Sequence, residues 1–98
     1  MTVQSTAIVA TDRPERYIKQ LVSYMGHKST TELTQDGGSI TIRAGHCRLI
    51  ARPGRIQMTA TAPDTESLAA VEDVIARHLI RFATTDPLTV GWSAPPTP

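Results

Sequence analysis

A chain of 98 residues and 10.6 kDa sustains one core, because chains divide into several only well beyond this length. Hydrophobic residues make up 40% of it and charged residues 19%, a globular composition, and with one Phe, one Trp and two Tyr that core must be aliphatic. No apolar run approaches the roughly 20 residues of a membrane span, the stretch Met1 to Ser5 lacks the basic start of a signal peptide, and the single Cys47 excludes both an internal disulfide and a zinc site of paired cysteines. These exclusions point to a cytoplasmic protein.

The net charge of +1 hides a segregation. Arg43, Arg48, Arg52 and Arg55 fall between Gly37 and Pro63 with no acid among them, whereas Asp64, Glu66, Glu72 and Asp73 follow with no base. Acids near a helix start, with Arg77 and Arg81 towards its end, match the helix macrodipole. The arginine-only stretch has no such simple origin.

In chain order, Thr6 to Ala10 is short, β-branched and bounded by polar residues, which predicts a strand. Asp12 to Glu15 then predicts a helix entry, with Asp12 as cap, Glu15 at capping-box spacing and Pro14 in the first turn. Tyr17, Ile18, Leu21, Val22 and Met25 recur at the spacing of one buried helical face, and Gly26 marks a stop.

From Ser29 to Ala62 the period becomes two: Leu33, Ile40, Ile42, Cys47, Leu49, Ala51, Ile56, Met58 and Ala60 alternate with polar partners. Turn signals at Asp36-Gly37-Gly38, Gly45-His46 and Pro53-Gly54 divide the stretch into four antiparallel strands in a meander. With Gly45-His46 as a loop, Arg43 faces Arg48. With Pro53-Gly54 as a loop, Arg52 faces Arg55 and Ala51 faces Ile56. Both choices keep the apolar residues on one side.

A second helix starts at Pro63 to Glu66, capped by Asp64 or Thr65, and buries Leu68, Val71, Ile75, Leu79 and Phe82, with Val74 and His78 at the margin. Leu88, Val90 and Trp92 alternate as a short final strand or arm. The expected fold is therefore an α+β two-layer sandwich of order β-α-β-β-β-β-α, an antiparallel sheet with both helices on one face. The same order occurs in TATA-binding-protein-like folds, an analogy that carries no function. Residues 1–92 make the single domain and the Pro-rich 93–98 a disordered tail.

Alternation sends Thr41, Arg43, Arg48, Ile50, Arg52, Arg55, Gln57, Thr59 and Thr61 to the face away from the helices. Like charges directly opposite each other cost roughly 0.2–1 kcal/mol per pair, so Arg43–Arg48 and Arg52–Arg55 suit a face that holds an anion, whose oxygens match guanidinium forks. Two other readings of that face stand beside it. It is a solvated surface with Glu32 neutralising Arg43, or a second copy covers it. Nucleic acid is a poor fit, because no outward position is aromatic and the pI is only near 8.0.

No two of His27, His46 and His78 lie three to five residues apart, so no local metal-ligand pair exists. His78 borders an apolar stripe, where a histidine usually satisfies a hydrogen bond. Cys47 has inward parity and behaves as a small hydrophobe. No phosphate loop, Ser–His–Asp order or paired catalytic carboxylates stand out, and no cofactor is indicated.

Arg16 to Leu21 ending in His27-Lys28, Gly45-His46-Cys47, and Asp73 to Ala83 followed by Leu88 to Trp92 resemble a bacterial family known as domain of unknown function 2218. The resemblance runs from Thr6 to Trp92, and His78, Arg81, Phe82, Ala83 and Trp92 are its most specific part. Tyr24 departs from the histidine often found there. The resemblance implies no activity. It does imply kinship with stand-alone small bacterial proteins or with domains appended to siderophore-interacting flavin reductases, and from the latter an accessory role near iron-siderophore metabolism and a partner of that reductase type. His27, Lys28, His78 and Arg81 match the family's polar positions and would form a cationic pocket if both helix ends share a rim.

The functional expectation is a non-enzymatic binding or accessory module for an anionic small molecule or acidic partner, using His27, Lys28, His78, Arg81, Arg43, Arg48, Arg52 and Arg55. The alternatives are a metal-dependent enzyme built on His27 and His78, and a structural module that dimerises through its sheet face.

Overall fold

The computed structural model describes residues 2–26, 30–42, 45–82 and 90–93. Strand β1 (Val3–Ala10) leads to helix α1 (Pro14–Met25), then to β2 (Thr30–Thr34), β3 (Gly37–Ile42), β4 (Gly45–Arg52) and β5 (Arg55–Ala62), helix α2 (Thr65–Phe82) and β6 (Trp92–Ser93). The strands form one antiparallel sheet in the order β2-β3-β4-β5-β1-β6. The meander of four strands is thus as expected, and β1 returns to lie beside β5. Ser93 pairs with Thr6 on the sheet edge, so ordered structure reaches one residue into the segment expected to be tail. Residues 94–98 lie outside the described residues.

Period-two alternation explains the layering. Val9, Ile40, Cys47, Leu49, Ile56, Met58 and Ala60 point to one side and are buried. Helix α1 covers β2 to β5 from that side with Tyr17, Ile18, Leu21, Val22 and Met25, while α2 covers β4, β5 and β1 with Leu68, Val71, Ile75 and Leu79. Each fully buried Ile or Leu contributes roughly 1.5–3 kcal/mol, and these side chains supply nearly all of the core. The expectation for the Phe82 side chain lies outside the described residues.

The two helix starts differ. Asp64 accepts a hydrogen bond from the Ser67 backbone N–H at 2.7 Å, which caps α2 as expected. That bond holds the Asp64 carboxyl below its ordinary range, with the Ser67 hydroxyl a lesser cause. Asp12 does not cap α1. The N-cap position belongs to Arg13, which makes no side-chain cap bond, and Thr11 Oγ1 instead accepts from the Arg13 N–H at 3.1 Å. Pro14 at the first helical position removes one donor that would need a partner.

Turn positions also differ from expectation. Pro53-Gly54 is a tight turn with Gly54 at φ 73°, and Arg52 faces Arg55 and Ala51 faces Ile56 as the parity argument requires. Gly45-His46, however, is not a loop. Both residues belong to β4, where Gly45 pairs with Ile42 and His46 with Thr41. A Cβ on Gly45 would collide with Val71 Cγ2 of α2 and sit 3.2 Å from the Thr61 carbonyl oxygen. The glycine lets a helix press on the sheet rather than letting the chain turn. Arg48 consequently faces Ser39, not Arg43. Because that displacement is an even number of residues, every side chain keeps its face. Gly37 and Gly38 likewise lie within β3. The hairpin tip is Gln35-Asp36, held by the Thr34 hydroxyl on Asp36 Oδ1 at 3.1 Å and the Ala51 N–H on the Asp36 carbonyl at 2.7 Å.

Candidate functional site

Register across the strands defines the open face of the sheet, which no helix covers. Its central rung runs Glu32, Ser39, Arg48, Thr59, Thr6 and Ser93. On one side lies the rung Thr30, Thr41, His46, Thr61 and Gln4. On the other lies Ile50, Gln57 and Ile8, and beyond it Arg52, Arg55 and Ala10. The face is a lattice of hydroxyls and amides with Arg48 near its middle and two arginines at one corner. Arg48, Arg52 and Arg55 are exposed, and among the described residues no carboxylate pairs with them; the one ion pair there joins Arg77 to Asp73 on α2. Among the described residues the Arg55 guanidinium donates only to the Pro53 carbonyl oxygen within its own turn, at 3.5 Å. Among the described residues Glu32 is the one acid on the face, and it sits two strands from Arg48, at the β2 edge.

The expected site residues do not gather in one place. Arg48, Arg52 and Arg55 share the open face, whereas His78 and Arg81 belong to α2 in the opposite layer. His27, Lys28 and Arg43 lie outside the described residues, and with them the neutralisation of Arg43 by Glu32, while the expected pairing of Arg48 with Arg43 is replaced by that of Arg48 with Ser39. His78 is half-buried in the seam between the helices. Its Nδ1–H donates a hydrogen bond to the Val74 carbonyl oxygen at 2.8 Å, and its ring packs against Tyr24 with centroids 4.9 Å apart. That contact brings the last turn of α1 beside the C-terminal third of α2. Nδ1 as donor leaves Nε2 with a lone pair in the neutral ring. Among the described residues no group of three His, Cys, Asp or Glu side chains is placed to hold a metal ion.

Cys47 is fully buried under the helices, and burial pushes its thiol up to about 12 from 9.0. It remains a thiol at neutral pH and is no nucleophile there. A polar contact that sequence reasoning missed lies nearby. The Ser5 hydroxyl, 2% exposed, donates to Glu72 Oε2 at 2.6 Å, tying β1 to α2. Its only sequence signal is a serine at an inward position of an otherwise apolar strand face. Three surface hollows cluster where α1 begins, lined by Asp12, Arg13, Glu15 and Lys19 and by the β2–β3 and β4–β5 tips. None is lined by Arg48 or Thr59.

A family model described as "Uncharacterized protein conserved in bacteria (DUF2218)" matches residues 6–93. The chain belongs to the DUF2218 family. The NMR structure of PA4090 from Pseudomonas aeruginosa is similar to it at 36% sequence identity, over 93% of this chain and 95% of that one, with a TM-score of 0.79. Among curated proteins none matches. The DUF2218 match spans both layers, so the arginine-bearing face and the His78–Tyr24 seam are parts of one family fold. Among the described residues no helix is long and apolar enough to cross a membrane.

Proposed function

We propose that this DUF2218 chain is a non-enzymatic binding module whose open sheet face receives an acidic protein surface. The observation that carries the reading is Arg48: it stands amid Ser39, Thr59 and Thr6 with no carboxylate partner among the described residues. Arg52 and Arg55, directly opposite each other, accept a repulsion of roughly 0.2–1 kcal/mol that an incoming carboxylate would relieve. Small-molecule sites are concave and mostly apolar, whereas this face is a broad run of strands whose polar side chains are half to fully exposed. Ile8, 55% exposed, and Ile50 flank Gln57 and add apolar contact to the charged corner. Complementary charge across such a face favours fast, salt-sensitive association.

The test is a titration with an oligoglutamate peptide, read by fluorescence anisotropy at low and high salt. Binding that weakens with salt and is lost in Arg48→Glu and Arg55→Glu, but kept in Arg16→Glu and Arg81→Glu, supports the reading. Citrate, phosphate and a ferric siderophore form a second arm. Saturable binding of one of these with no response to the peptide would replace the acidic protein by a small anion, the ligand class implied by a link to iron-siderophore metabolism.

A further inference from the structure

The sheet has two unlike edges. On one side β6, two residues long, pairs with the middle of β1. On the other, β2 offers five residues whose outer side pairs with nothing among the described residues. Edge strands are normally guarded by charged side chains, Lys above all, by Pro, by a bulge or by extreme shortness. Thr30-Thr31-Glu32-Leu33-Thr34 carries one charge, Glu32, and no Lys or Pro, and its register with β3 runs without a bulge from Thr30–Thr41 to Thr34–Gly37. Leu33 has helix-side parity yet is 53% exposed. It borders a hollow of about 140 Å³ shared with Ile18 and Ala51 and rimmed by Glu15 and Lys19 of α1.

We propose that this edge pairs with the β2 edge of a second copy, in an antiparallel register centred on Leu33. Parity restricts the choice. A twofold that keeps the helices of both copies on one side must pair residues whose numbers sum to an even value. Centring on Glu32 would set two carboxylates against each other, which is destabilising. Centring on Leu33 sets Leu33 against its own copy and Glu32 against Thr34, and brings Thr31 opposite Gln35 at the hairpin tip. Two half-exposed leucines then cover each other. Each flank brings one acid and one base, Glu15 and Lys19, so opposite charges are available across the axis. A five-residue edge is small beside the roughly 1,200–2,000 Å² of a stable interface, so the dimer is concentration-dependent. It leaves the Arg48 face free, and its success or failure is independent of the proposed function.

The experiment combines sedimentation with site-directed cross-linking. Wild-type protein should shift towards twice the monomer mass as concentration rises to that of an NMR sample, and Leu33→Lys should stay monomeric with an unchanged circular dichroism spectrum. Opposed Cα atoms in an antiparallel pair lie about 4.5–5.5 Å apart, within disulfide range. Leu33→Cys should therefore give a disulfide dimer under mild oxidation, while Arg48→Cys should not; buried Cys47 does not interfere. A monomer at every concentration overturns the proposal, as does a dimer that Leu33→Lys leaves intact or that cross-links through Arg48→Cys instead.

Discussion

Gly45 of β4 lies directly beneath Val71 of α2, at a separation that leaves no room for a methyl group. This approach sets how closely α2 lies on the sheet, over the strand in which Gly45 pairs with Ile42 and Arg48 with Ser39.

Gly45→Ala should accordingly lower stability by about 1–3 kcal/mol, the usual cost of overpacking a well-filled core. Gly91→Ala, where a Cβ meets nothing within 4 Å, should be close to neutral. Gly54→Ala falls between them, at about 1–2 kcal/mol, because its φ of 73° belongs to the left-handed region. Urea denaturation of the three variants checks the ranking.

The Ser5–Glu72 hydrogen bond predicts a coupling. Glu72→Ala leaves a buried hydroxyl without its acceptor, which costs about 1–3 kcal/mol, and Ser5→Ala removes the donor from a half-buried carboxylate. The double variant should lose less than the two single losses combined, with a coupling of about 0.5–3 kcal/mol. Strict additivity would show that the bond contributes nothing.

These two contacts show what was legible in the sequence. Alternation from Leu33 to Ala60 revealed the layers, because burial on one face leaves a period of two that any reader of the chain can count. Pro53-Gly54 marked its turn because only a residue tolerant of positive φ fits there. Gly45 misled for a physical reason: glycine is as useful for close packing as for turning, and Val71, the side chain that requires it, lies 26 positions further along the chain. Asp12 misled similarly, since Thr11 reached the Arg13 amide from one residue earlier. The split of Arg48, Arg52 and Arg55 from His78 and Arg81 was legible too, because alternation sends the three strand arginines to the face away from the helices while His78 and Arg81 follow the helical stripe.

The helix starts supply a further comparison. Asp64→Ala should lower the melting temperature, whereas Asp12→Ala should leave it unchanged, since only Asp64 accepts a backbone N–H. The Asp64 carboxyl is held below its ordinary range, so its contribution is present above that range and lost as pH falls through the folded value. Melting curves of wild type and Asp64→Ala should converge under acid conditions.

Cys47 predicts the opposite pH dependence. With the thiol pushed up to about 12, the folded chain keeps a proton that the unfolded chain releases above 9.0. Stability should fall as pH rises through that window, and Cys47→Ala should show a shallower alkaline loss. A maleimide should label no thiol in the native protein and one in urea.

The central claim is that the open face, and not the helix layer, is the recognition surface. Amide chemical shifts recorded during titration with an oligoglutamate peptide address it most directly. The account predicts perturbations concentrated on Arg48, Thr59, Gln57, Arg52 and Arg55, with the outer residues Glu66, Asp73 and Arg77 of α2 undisturbed. Shifts confined to α2, or a pattern that persists in Arg48→Glu, would contradict it.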